Sequence, residues 1–321
     1  MKKALIKIAV IFFSILIIDQ IASAKLAQMY ENNFCKHSGG DLNYYLKFQN
    51  ADTIFLGSSR VSTMINTDLI GKNVLNVTSK GKYFYYNSSV IHLMEKYKKL
   101  PRKVLILNLE AEDIYIENKS DLIDNVFYLK YYYDKVGFIK DRIDSKSPFE
   151  KYKFLLSSNK FNGENFLLAT NQLQSICDDT HDNYTPLYPT MYDSIKVLKG
   201  KKTQQKIKYT KFNDEFLKIL QATNLVCRKN NVRLIIIYGP HYYYPQNFER
   251  ASFRVKSFCK NNHIPYIDFN TNQFSQFRGI DSWVDIFHLN KKASLLYTKI
   301  LNEELKKVDS SIKRNGNKKE L

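Results

Sequence analysis

A serine hydroxyl attacks a carbonyl only when a base removes its proton. A chain that uses one must therefore bring together a hydroxyl, an imidazole and an orienting carboxylate. Gly57-Ser58-Ser59-Arg60 stands directly behind the apolar run "DTIFLG". A glycine there lets the backbone bend sharply out of a strand. A helix starting behind it would turn its dipole and N–H groups, that of Ser59 included, toward a developing oxyanion. The same residues also fit a plain strand-to-helix turn, because serine is a favoured helix N-cap. Asp285 and His288 lie three apart in "SWVDIFHLNKKA". That separation puts both side chains on one side of a tight turn, where the carboxylate can orient the imidazole. Asp285 and Asn290 are equally suited to capping a helix that follows. Asn76 and Gly81, in "LNVTSKG", form a third segment whose amides could face an oxyanion.

Other groups carry weaker signals. His241, in "YGPHYYYPQ", follows a strong strand and could line a substrate site beside Tyr242, Tyr243 and Tyr244, or be an ordinary loop histidine. Arg60 could hold an anionic group beside Ser59, or be a surface arginine in a first helical turn. Glu110, Glu112 and Asp113 are too close in sequence for a glycosidase pair and read as a solvated turn. His181 and His263 lie in polar context and receive no role. Cys35, Cys177, Cys227 and Cys259 are widely spaced, which leaves both disulfides and buried thiols open. No metal-ligand spacing is present, and neither a metal nor a cofactor is expected.

The elements that must position these groups alternate. Strands are expected at 52–57, 73–81, 103–107, 232–240 and 264–269. Helices are expected at 88–100, 212–231, 248–262 and 290–308. Alternation of this kind argues for a mostly parallel sheet covered on both faces, with sites at the carboxyl ends of the strands. Residues 118–205 lose the pattern and read as a mainly helical insertion, with helices near 122–140 and 164–176. Residues 25–50 read as a connector and 309–321 as a disordered polar tail.

Lys2, Lys3 and Lys7 precede the apolar stretch Ile8 to Ile18, with Ala22-Ser23-Ala24 behind it. This is the pattern of a secretory signal peptide cleaved after Ala24, or of a membrane anchor retained over residues 1–24. Either places the body outside the cytoplasm. With 49 Lys and Arg against 31 Asp and Glu, the net charge of +18 favours an anionic partner. No nucleic-acid-binding signature accompanies it, so nucleic acid is not an expected partner.

Taken together, the three segments resemble the SGNH, or GDSL-like, hydrolase superfamily. Gly57-Ser58-Ser59 stands where that family carries Gly-Asp-Ser, "LNVTSKG" resembles its second block, and Asp285-x-x-His288 matches its Asp-x-x-His before the last helix. The resemblance spans roughly residues 50–115 and 230–308. It implies a three-layer α/β/α fold with a flavodoxin-like sheet. It also implies a Ser59–His288–Asp285 triad and an oxyanion hole from Ser59, Gly81 and Asn108. Asn108 stands in because the chain reads Asn108-Leu109-Glu110-Ala111 where the family's third block has Gly-x-Asn-Asp.

The likeness is greatest to a membrane-tethered subgroup that reads Gly-Ser-Ser and includes the D-alanyl-transfer protein of teichoic acid systems. It implies an esterase or O-acyltransferase acting on a cell-envelope polysaccharide or another acyl ester, with a membrane-bound O-acyltransferase as a partner. The alternative left open is a non-catalytic relative that binds glycan or scaffolds such an acyltransferase.

Overall fold

The computed structural model describes residues 2–34, 40–170, 184–205, 211–243 and 248–317. In chain order the elements are α1 (Lys2–Glu31), α2 (Gly40–Phe48), β1 (Thr53–Leu56), α3 (Ser59–Met64), β2 (Val74–Asn76), α4 (Phe84–Lys96) and β3 (Val104–Leu109). The insertion contributes α5 (Lys119–Val126), α6 (Gly137–Asp144), α7 (Glu150–Lys153), α8 (Glu164–Ala169) and α9 (Asp193–Gln204). The chain closes with α10 (Asp214–Lys229), β4 (Arg233–Tyr238), α11 (Phe248–Asn261), β5 (Tyr266–Asp268) and α12 (Lys291–Asn317).

The strands form a five-stranded, all-parallel sheet in the order β2-β1-β3-β4-β5. Successive side chains of a strand point to opposite faces, so an apolar run feeds two cores at once. Ile54, Leu56, Leu105, Leu107, Leu234 and Ile236 join the core built with α4, α10 and α11. Phe55, Ile106, Ile235 and Ile237 join the opposite core, with Val61 of α3 and Tyr297 and Leu301 of α12. The result is the expected three-layer α/β/α arrangement. The strand order reverses between β1 and β3, and in such sheets the crevice at that reversal is the ligand site.

Three regions differ from the sequence reading. Residues 25–50 are not a connector: α1 runs on to Glu31, and α2 supplies the buried side chains Leu42, Tyr45 and Leu46. The last helix continues past residue 308 to Asn317. The helix expected near 122–140 is broken into α5, the 3-10 turn Phe127–Tyr132 and α6. That near 164–176 is described only as far as residue 170, with α8 in it and the 3-10 turn Ser157–Phe161 ahead of it. Side chains at i and i+3 eclipse in a 3-10 turn, so the helical period is lost. Tyrosine rings hold the insertion together instead. Tyr30 of α1 packs on Tyr131 (4.4 Å) and Tyr133 stacks on Phe154 (4.0 Å).

α1 has two halves. From Leu5 to Ile18 nearly every large apolar side chain is exposed. From Asp19 onward the helix docks on the insertion, through Asp19, Ser23 and Tyr30, all buried. Cys227 and Cys259 are buried free thiols, pushed up to about 12 by burial. Cys35 and Cys177 lie outside the described residues.

His92 of α4 stacks on Phe138 of α6, with ring centroids 3.9 Å apart and planes 9° from parallel. Burial lowers its pKa from 6.5 to about 4. Between those values the unfolded chain binds a proton there that the folded chain does not. Stability is therefore full above pH 6.5 and declines as the pH falls toward about 4. A series of melting temperatures across this window should show the decline, and His92→Phe should flatten it. An unchanged slope in the variant would remove His92 as its source.

Candidate active site

The carboxyl end of β1 runs into Gly57, where a side chain does not fit. A Cβ there would overlap Val61 Cγ2 and lie 3.0 Å from Asn108 Cβ. Ser58 is the N-cap of α3 and accepts a hydrogen bond from the Arg60 N–H (3.3 Å). Ser59 is the first residue of α3, so its N–H is among those that a helix leaves unpaired internally. The two serines therefore divide the labour left open in the sequence: Ser58 caps and Ser59 faces the cleft.

His288 is delivered from the other end of the chain. The segment before α12 is a tight turn closed by the antiparallel bridge Trp283–Leu289 and by the Val284 N–H donating to the His288 carbonyl (2.9 Å). Asn290 caps α12 by accepting from the Ala293 N–H (3.0 Å). The Trp283 indole anchors the turn by donating to the Phe277 carbonyl (2.7 Å). Within the turn, Asp285 Oδ1 accepts the N–H groups of Phe287 (2.7 Å) and His288 (2.9 Å).

The Asp285 carboxylate lies 2.9 Å from His288 Nδ1, and Ser59 Oγ lies 2.8 Å from His288 Nε2. Burial pushes the Asp285 carboxyl up, but His288 and the two N–H donors outweigh it and hold the group below its ordinary value. Asp285 is thus ionised at neutral pH. A carboxylate on Nδ1 fixes the tautomer whose Nε2 can accept the serine proton.

A cleft of about 240 Å³ opens over Ser59 and His288. Its walls include Arg60, Gly81, Tyr83, Glu110, Glu112 and Phe287, with Asp121 and Leu122 of α5 and Gln204 of α9. Gly81 has φ +69°, a conformation that suits glycine, and it lines the cleft. The insertion, which carries none of the sequence motifs, therefore closes one side of the site.

Five sequence assignments change. Asn108 is no oxyanion donor: its amide is buried and donates to Glu110 Oε1 (3.0 Å) and the Leu109 carbonyl (3.3 Å). It is wedged between Gly57 and Gly239, away from the cleft lining. Asn76 is likewise committed, donating to the Val61 carbonyl (3.2 Å) while Thr78 bonds its side-chain oxygen. His241 does not line the cleft. It is buried behind Glu110, with Nδ1 2.8 Å from the Gly239 carbonyl, and burial drives its pKa well below the usual value. Arg60 does line the cleft, but its Nε is 2.8 Å from Glu110 Oε2 in a buried ion pair.

The acidic triplet is the fifth change. Glu110 and Asp113 are 3% and 0% exposed, so this is no solvated turn. Glu110 accepts from Ser58 Oγ (2.5 Å) and pairs with Arg60, which joins the β3 end to the turn that bears Ser59. Asp113 accepts the N–H groups of Glu110 (2.8 Å) and Phe84 (2.9 Å), which fixes Glu110 and the start of α4 together. The available signal was position: Glu110 leaves the carboxyl end of the strand beside β1.

No family model and no curated protein matches the chain. Among solved structures, the chain is similar to a candidate acylhydrolase of Bacteroides fragilis. The match is 10% identical, covers 82% of this chain and 93% of that one, and has a TM-score of 0.41.

Proposed function

We propose that this protein is a serine acyl-transfer enzyme of the SGNH type, an esterase or O-acyltransferase. The observation that carries the reading is the continuous path from Asp285 through His288 to Ser59, with contacts of 2.9 and 2.8 Å. Ser59 Oγ attacks the ester carbonyl as its proton passes to His288 Nε2. His288 returns that proton to the leaving alcohol, which gives an acyl-serine. Water or an acceptor hydroxyl, deprotonated by His288, then releases the acyl group. The N–H groups of Ser59 and Gly81 serve as oxyanion donors. The alternative, a non-catalytic glycan-binding or scaffolding relative, would be favoured by Ser59 and His288 turned apart.

Location and substrate follow from the flanking features. The exposed apolar half of α1, with Lys2 and Lys3 at its start, suits a retained membrane anchor with the body on the extracytoplasmic side. Retention is supported by Asp19, Ser23 and Tyr30 docking the rest of the same helix on the body, since cleavage after Ala24 would remove the first two. A net charge of +18 suits a polyanionic envelope polymer such as a teichoic acid, and a membrane O-acyltransferase is the partner that the resemblance implies. The cleft itself is of the opposite sign: Glu110, Glu112 and Asp121 line it against Arg60. The acyl group is accordingly neutral or cationic.

Three outcomes test this reading on the full chain in detergent. Wild type should label with a fluorophosphonate and hydrolyse activated acetyl esters, and Ser59→Ala should do neither. Asp285→Asn should lower kcat by on the order of 10⁴-fold, through loss of the correct tautomer. Equal inertness of wild type and Ser59→Ala would end the catalytic reading.

Glu110→Ala should destabilise the fold by about 3–5 kcal/mol in denaturant melts, because Arg60 is left charged and buried. Arg60→Met combined with Glu110→Leu should recover most of that loss. Among esters of equal leaving group, glycyl or alanyl esters should outrun succinyl esters in kcat/KM. The reverse order would remove the assignment of charge to the acyl site.

A further inference from the structure

Residues 149–156, "FEKYKFLL", follow α6 and end one residue before the 3-10 turn Ser157–Phe161. Four of their large apolar side chains face solvent: Phe149 (72% exposed), Tyr152 (56%), Leu155 (70%) and Leu156 (38%). Glu150 is the inward residue of α7, 4% exposed, and pairs with Lys153 (2.8 Å), while Lys151 is exposed. The Lys151 ammonium lies 5.1 Å from the Tyr152 ring, and Phe154 secures the segment by stacking on Tyr133. Aromatic and leucine side chains interleaved with lysine form the composition that settles at the boundary between headgroups and acyl chains.

Its place in the molecule is what identifies the partner. The Asp19 carboxylate accepts the N–H groups of Ser157 (2.7 Å) and Ser158 (3.1 Å), and Gln20 Nε2 donates to Ser157 Oγ (3.0 Å). Leu155 and Leu156 are thus at most about 7 Å of chain from the point where the apolar run of α1 gives way to Asp19. From Lys2 to Asp19 the helix rises roughly 25 Å, close to the hydrocarbon thickness of about 30 Å. With α1 across a bilayer and its lysines at the cytoplasmic face, Asp19 reaches the outer boundary, and Leu155 and Leu156 at the end of the exposed segment lie beside it.

We propose that residues 149–156 form a second membrane contact, seated in the outer leaflet of an anionic bilayer beside α1. The proposal rests on the reading of α1 as a retained span. A single helix leaves a body free to tilt and rotate, whereas a helix plus a lateral contact fixes its orientation. Asp19 couples the two by tying the start of the 3-10 turn to the span. The cleft, roofed in part by α5 and α9 of the same insertion, is then held at a set height and angle above the leaflet.

The test uses the full chain in proteoliposomes of phosphatidylglycerol and phosphatidylcholine, with lipids brominated at shallow or deep acyl positions. Tryptophan reporters are placed singly by Phe12→Trp, Tyr152→Trp and, as a remote exposed control, Phe253→Trp. The native Trp283 is buried and supplies a constant background. The proposal expects deep bromines to quench the Phe12 reporter. It expects shallow bromines to quench the Tyr152 reporter, with a blue-shifted emission that Leu155→Asp reverses. The Phe253 reporter should be unaffected. A quenched Phe12 reporter with an unquenched Tyr152 reporter overturns the second contact and leaves the anchor standing. Neither reporter quenched overturns both.

Discussion

The Glu110 carboxylate lies inside the protein at the carboxyl edge of the sheet, and much of the surrounding chain answers its charge. Taking a carboxylate and a guanidinium out of water costs more than their attraction returns unless the remaining hydrogen-bonding capacity is filled. Here Arg60 pairs with one oxygen while the Ser58 hydroxyl and the Asn108 amide fill the other. Burial still raises the Glu110 pKa, with Arg60 opposing it. The pair joins the end of β3 to the first turn of α3. Ser59 lies between Ser58 and Arg60, so it is held from both sides by groups that Glu110 holds.

Topology explains why this rigidity is placed there. Because the chain runs β1, β2 and then β3 on the other side of β1, two loops part at the reversal and leave a crevice. Gly57 and Gly239 admit Asn108 between the ends of β1 and β4, which packs the floor of that crevice. His288 must still arrive from a segment 229 residues away in sequence from Ser59. The turn around Trp283 therefore carries its own scaffold of bridge, indole hydrogen bond and cap. A loose turn would let the imidazole drift out of hydrogen-bond range of Ser59.

The placements legible in the sequence are those that depend on local spacing. Asp285 and His288 sit on one turn because they are three apart, and Ser59 sits at a strand end because an apolar run and a glycine precede it. Alternating strand and helix patterns gave away the layers for the same reason. The burial of Glu110 is not legible because "NLEAED" is locally indistinguishable from a solvated acidic turn. Its burial comes from Arg60, fifty residues earlier in the chain. The resemblance implies Asn108 as an oxyanion donor and the end of β4 makes His241 a candidate, yet both side chains are held by their own stretch of chain, Asn108 by the Leu109 carbonyl and Glu110, His241 by the Gly239 carbonyl. The insertion stayed opaque because short helices and 3-10 turns, packed by tyrosine rings, leave no sustained period to detect.

Charge acts on two scales in this molecule, with opposite sign. At long range the excess of lysine and arginine draws the protein toward polyanions and anionic lipid, an attraction that salt screens beyond a Debye length of about 8 Å. Within the cleft that screening is weaker, and the lining of Glu110, Glu112 and Asp121 outweighs Arg60. A substrate whose backbone is anionic but whose reacting acyl group is neutral or cationic satisfies both fields at once. A free anionic acyl donor would be attracted to the surface and opposed at the serine. The outer field thus favours encounter with a polyanion, while the inner field favours a neutral or cationic group in the cleft.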